Sequence, residues 1–143
     1  MLIIEILKDE SAKWDRSQPA PETVIQSLLE QSGLELPDDY ISFLRCSNGG
    51  EGELGIQPWW FRVWTAEEVL EANRGYEVQT NIPGFFGFGS SGGGELLAFD
   101  ARAPKRWPVF MIPFIVMDEK DAVRIADDFS SFVMEMGRST EGV

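Results

Sequence analysis

The sequence predicts an α+β fold. The expected form is a single domain on a mainly antiparallel sheet of four to six strands, with two helices before the sheet, a short helix within it and one after it. Three observations lead there. Apolar residues recur at helical spacing near both ends of the chain, short aromatic and β-branched runs fill its middle, and Gly, Pro and Asp clusters separate those runs. Helices at the ends and strands between them favour antiparallel pairing over alternating strand-helix units. A length of 143 residues suits one domain, with residues 21–143 as its body and residues 1–20 as a segment packed onto it.

The elements follow in order. Residues 1–7 are apolar apart from Glu5, and their periodicity leaves strand and helix open. Residues 14–21 read as loop. Pro21 then opens a helix whose Val24, Ile25, Leu28 and Leu29 form one stripe, and Gly33 ends it. The next helix starts at Pro37, whose missing N–H costs nothing at a first helical position, and Asp38 and Asp39 set negative charge against the positive end of the dipole. Its stripe is Tyr40, Ile41, Phe43 and Leu44, and Asn48-Gly49-Gly50 supplies residues that tolerate a left-handed stop. Strands are expected at residues 59–63, 85–88, 95–99 and 109–113, with a weaker candidate at 122–125. Between the first two lies Thr65-Ala66-Glu67-Glu68, a capping box, with Trp64 and Val69 placed for a hydrophobic staple. Phe129, Phe132, Val133 and Met136 share one face of a closing helix capped by Asp127 or Asp128.

Composition removes much chemistry. With no histidine, Ser-His-Asp and Cys-His nucleophiles and most zinc sites are excluded, and a single cysteine excludes thiolate clusters and internal disulfides. Cys46, near the end of an apolar helix face, reads as a reduced, packed thiol. The acid pairs Asp38-Asp39, Glu67-Glu68, Asp118-Glu119 and Asp127-Asp128 are adjacent residues that do not face each other, and three of them sit at helix starts. Gly87-Phe88-Gly89-Ser90-Ser91-Gly92 matches G-x-G-x-x-G, but a strand pattern follows instead of a helix, so a glycine hairpin at residues 84–94 is expected and no nucleotide site. Residues 118–121 lack the spacing of a calcium loop. No cofactor or metal is expected. A net charge of −12 repels phosphate backbones, and no apolar run spans a bilayer, so neither nucleic acid nor membrane is an expected partner and a cytoplasmic location is.

Two features point towards a protein partner. Residues 22–53 hold Glu22, Glu30, Glu35, Asp38, Asp39, Glu51 and Glu53 against Arg45 alone, a local balance of 1 − 7 = −6, whereas Arg102, Lys105 and Arg106 form one basic cluster. Trp59-Trp60-Phe61 reads as a strand, so one of Trp59 and Trp60 should enter the core and the other face outward as an interface anchor.

A family resemblance adds to this reading. Leu36-Pro37, Asp39-Tyr40 and Phe43-Leu44, followed by Asn48-Gly49-Gly50-Glu51-Gly52, are similar to the second helix of the SUKH superfamily, Smi-Knr type, which includes fungal cell-wall-assembly regulators and bacterial immunity proteins. Trp64-Thr65-Ala66-Glu67-Glu68-Val69 resembles its short middle helix, Phe86-Gly87-Phe88-Gly89-Ser90 through residues 94–100 its glycine-bounded hairpin, and residues 126–133 its closing helix. The likeness covers residues 21–136 and implies the same α+β architecture. It also implies a non-enzymatic immunity protein that blocks a cognate toxin, often a nuclease with a basic groove, by direct contact. On that expectation Asp38, Asp39, Glu51 and Glu53 attract a basic toxin domain and Trp59 or Trp60 anchors it. A cell-wall-assembly or housekeeping scaffold is the alternative, and carboxylate chemistry or a small ligand at the glycine hairpin a third. Oligomeric state is left open.

Overall fold

The computed structural model describes residues 2–104 and 106–139. Its sheet has seven strands in chain order, and each neighbouring pair is antiparallel. They are β1 (Asp15–Arg16), β2 (Gly50–Glu53), β3 (Trp60–Val63), β4 (Phe85–Ser90), β5 (Glu95–Asp100), β6 (Val109–Pro113) and β7 (Val123–Ala126). The helices are α1 (Ile3–Leu7), α2 (Glu22–Ser32), α3 (Asp38–Cys46), α4 (Val69–Gly75), α5 (Val78–Asn81) and α6 (Phe129–Met134). The architecture is the expected α+β domain, with more strands than the expected four to six. The additions are β1, two residues long, and β2, whose Gly-Glu-Gly-Glu sequence carries no strand preference of its own.

Most elements grow from the local signals in the sequence. Pro21 precedes α2 and Gly33 ends it in the left-handed conformation at φ +67°. Tyr40, Ile41, Phe43 and Leu44 of α3 are all buried. The stop of α3 differs from expectation: Ser47 leaves the helix in extended conformation, and the positive φ of Gly49 and Gly50 serves the turn into β2 instead. Added side chains there would strike the Val63 carbonyl and the Trp14 ring, so strand packing, not helix termination, fixes these glycines. The capping box forms, with Thr65 N–H donating to Glu68 Oε1 at 2.9 Å and Glu68 N–H to Thr65 Oγ at 3.2 Å, in a turn that leads into α4. Asp128 caps α6 by accepting from Ser131 N–H at 2.8 Å.

One face of the sheet, here the inner face, carries the core. Tyr40 of α3 and Phe129 of α6 meet Phe88 of β4 and Phe99 of β5 with ring centroids 4.6–6.1 Å apart, mostly edge to face. The outer face is covered by α4 and α5 over β4. There β4 bulges between Gly87 and Gly89, and the buried Asn73 side chain of α4 satisfies the interrupted ladder. Its Nδ2 donates to the Gly87 and Val69 carbonyls at 2.8 Å, and its Oδ1 accepts from Gly87 N–H at 2.8 Å and Gln79 Nε2 at 3.0 Å. All four hydrogen-bonding positions of this amide are used.

The amino-terminal segment lies on the inner side. Ile3 is buried, and Trp14 stacks on Phe43 at 5.8 Å and meets Phe61 edge-on at 5.7 Å. Arg138 donates to Asp9 at 2.7 Å and to Ser11 at 2.8 Å, joining both ends of the described chain. Met1 and residues 140–143, included in the expected segment and domain, lie outside the described residues.

Candidate functional site

The β2–β3 pair builds an open surface from a simple alternation. Gly50 and Gly52 face inward, where a Cβ would come within 2.5 Å and 2.6 Å of Trp14 atoms, so only glycine lets the indole lie on the strand. Glu51 and Glu53 therefore face outward, as period two requires. The register places Arg62 opposite Glu51 and Trp60 opposite Glu53, and the same alternation sends Phe61 and Val63 into the core. The result is an outer patch of two glutamates, an arginine and a tryptophan on a sheet region that α4 and α5 leave bare.

Within the patch Glu51 is the hub. Its Oε2 accepts from the Trp60 indole N–H at 3.4 Å and from Arg62 Nη2 at 3.3 Å, which orients both side chains. The Arg62–Glu51 pair is solvent-exposed and contributes little to stability. Trp60 lies over the β4–β5 turn, where a Cβ on Gly92 would come within 2.9 Å of the indole. Beside it an open groove of about 610 Å³ runs around the short β1 edge. Its charged lining comprises Glu10, Asp15, Glu51 and Glu53 against Lys13 and Arg16, a balance of 2 − 4 = −2. Arg16 stacks over Trp14 at 4.3 Å, so part of that positive charge is held against an aromatic face.

The structure brings Glu51, Glu53 and Trp60 together and leaves Trp59 next to them. The expectation that one of Trp59 and Trp60 enters the core is corrected: they are 52% and 40% exposed. Alternation starts only at Trp60, because Trp59 closes the β2–β3 connection at φ +75°, outside extended strand geometry. Asp38 and Asp39 lie elsewhere, at the start of α3. Asp39 is committed to the fold, since its carboxylate accepts from Tyr40 N–H at 2.9 Å and from Ser130 N–H and Oγ at 2.9 and 2.8 Å. Trp14 and Arg62 were missed, although a lone tryptophan in a polar segment is the kind of signal that could have found the first.

Other candidates resolve into structural roles. Arg102 donates to Asp100 and Glu119, holding the Asp100 carboxyl below its ordinary range, and Arg106 lies 3.7 Å from Asp128. The basic cluster is thus paired at two positions, and Lys105 lies outside the described residues. Glu22 is likewise held low, first by its hydrogen bonds with Arg45. Asp118 accepts from Lys120 N–H at 2.9 Å in a short helical turn over residues 119–121. The glycine hairpin is present as β4 and β5. Cys46 is free and half-buried, less enclosed than a core thiol. Among the described residues no group of acids and cysteine is arranged to hold a metal ion, and no helix is long and apolar enough to cross a membrane.

The model of the SMI1 / KNR4 family (SUKH-1) matches residues 19–135, from just before α2 to just past α6. It leaves out α1, β1 and Trp14. No curated protein matches the chain.

Proposed function

Because the chain belongs to the SMI1 / KNR4 family (SUKH-1), we propose that it is a non-enzymatic binding protein, an immunity protein that neutralises a basic toxin domain by direct contact. The observation that carries this reading is the outer β2–β3 patch, where Trp60 stands exposed between Glu51, Glu53 and the bare sheet. Aromatic anchors at the centre of interfaces supply much of their energy, and acids around them raise encounter rates with a basic partner. A net charge of −12 extends that attraction beyond contact distance at low salt. Asp38 adds exposed charge at a distance, whereas Asp39 serves the α3–α6 contact.

The test is binding to an inactivated toxin domain encoded beside the gene, measured by calorimetry. Trp60→Ala should weaken it by about 2 kcal/mol or more, a factor near thirty, and Glu51→Lys with Glu53→Lys should slow association most at low salt. Full affinity in all of these variants would remove the patch from the interface. A partner set containing no toxin would instead favour the scaffold role.

A further inference from the structure

A second exposed apolar point lies at the same end of the sheet as Trp60, at the apex between β6 and β7. Among the described residues, Ile115 at 83% and Val116 at 77% are more exposed than any other large apolar residue. Both occupy that apex, and Val116 is a β-branched residue at φ +52°, a conformation such side chains rarely adopt. Exposure and strain coincide at one point. The Phe114 ring behind the apex packs on Tyr76 at 4.5 Å, and Tyr76 stacks on Trp64 at 6.0 Å, so an aromatic column supports it from below.

Topology joins this apex to Trp60. In an antiparallel meander the β2–β3, β4–β5 and β6–β7 connections all emerge at one end of the sheet. Contacts confirm the adjacency. Trp60 lies against Gly92 in the β4–β5 turn, and Phe114 N–H donates to the Gly94 carbonyl of that turn at 2.9 Å. From β3 to β6 is three strand spacings, roughly 14 Å, well within a patch that buries about 800 Å² per partner. Trp59, Trp60, Ile115, Val116 and Tyr76 are exposed along this end. Glu53, Glu95 and Asp118 flank it, Glu95 standing opposite Pro113 in the register.

We infer that this end of the sheet is one continuous docking surface, with Ile115 and Val116 as an apolar prong entering a socket with a basic rim on a protein partner. The inference rests on the proposed binding role but not on the partner being a toxin. Glu95, opposite Pro113 just before the prong, and Asp118, two residues after Val116, favour a basic rim, and the charge of −12 disfavours both a second copy and an anionic membrane. Apolar surface at the tip is covered only when the socket closes over it.

The probe is a short peptide alternating leucine and lysine, with an all-lysine peptide of the same length as control, followed by amide and indole chemical shifts of the full chain. The alternating peptide should shift Ile115, Val116, Phe114 and the Trp60 indole, and bind about tenfold tighter than the control. Ile115→Ser with Val116→Gly should remove that difference. Because glycine relieves the positive φ, this variant should keep its melting temperature or raise it, which separates lost contact from lost fold. Shifts confined to residues 22–39, equal binding of the two peptides, or an unaffected variant overturns the inference. So does prong-dependent dimerisation in sedimentation, or prong-dependent co-sedimentation with zwitterionic vesicles. If Trp60→Ala weakens the alternating peptide while the prong variant does not, the prong fails and the binding role survives; if neither does, both fail.

Discussion

Tyr40→Phe should stabilise this protein. Tyr40 is fully buried among Phe88, Phe99 and Phe129, and its hydroxyl has no hydrogen-bond partner among the described residues. An unpaired buried hydroxyl costs about 1–3 kcal/mol in lost hydration. Replacing it by hydrogen keeps the ring and its edge-to-face contacts, and forfeits only the oxygen's dispersion contacts at about 0.1–0.2 kcal/mol each. The balance is a gain of about 1 kcal/mol. In urea, with a slope of roughly 1–3 kcal/mol/M, the midpoint should rise by about 0.5 M at unchanged slope. Alkaline pH supplies a second arm. Burial raises the Tyr40 pKa above its ordinary value near 10, so the stability tied to its proton is present below that pH and lost as pH climbs further. The phenylalanine variant lacks that loss and should outlast the parent above pH ~10 by a growing margin. A variant less stable by about 1 kcal/mol or more, at unchanged slope, would show the hydroxyl to be bonded and refute the reasoning.

Other outcomes follow from the same geometry. Asn73→Leu removes both halves of the amide that holds the β4 bulge, leaving Gly87 N–H and its carbonyl unpaired in the interior, and should cost about 3 kcal/mol or more by chemical denaturation. Gly52→Val places a Cβ within 2.6 Å of Trp14 Cβ and should lower stability by about 1–3 kcal/mol while shifting tryptophan emission to the red as the indole is displaced. Asp9, Glu22 and Asp100 are all held below their ordinary pKa, Asp9 chiefly by Ser11 and then Arg138 and the others chiefly by arginine. Their contribution is therefore present above the ordinary carboxylate range of about 4 and is lost as pH falls through the depressed values, so acid titration of the unfolding midpoint should be flat between pH ~7 and pH ~5 and decline below pH ~4.

What the sequence disclosed was whatever is decided locally. Proline before α2 and α3, glycine after α2, the aspartate cap of α6 and the β-rich residues of β4, β5 and β6 act on their own neighbours, and each element appears near its expected place. What it hid depends on distant contacts. The chain at Gly50–Glu53 becomes a strand because Trp14 lies on its glycines and Phe61 stands opposite, neither of which is visible from four residues of alternating glycine and glutamate. Asp39 looked like a free first-turn acid because Ser130 is 91 residues away. The strand alternation for Trp59 and Trp60 failed because it was applied one residue too early, across a positive φ at Trp59.

The distance between Asp39 and Ser130 has a consequence in time. The sheet is a meander whose hairpins form from neighbours, but the inner face of β4 and β5 is sealed by Phe129 and Phe132 of the last helix. A ribosome adding roughly 5–20 residues per second needs about 5–20 s to pass from one end of that hydrogen bond to the other. Once β4 and β5 have been made, late in that interval, Tyr40 of α3 can already meet Phe88 and Phe99, but Phe129 and Phe132 reach them only when α6 follows.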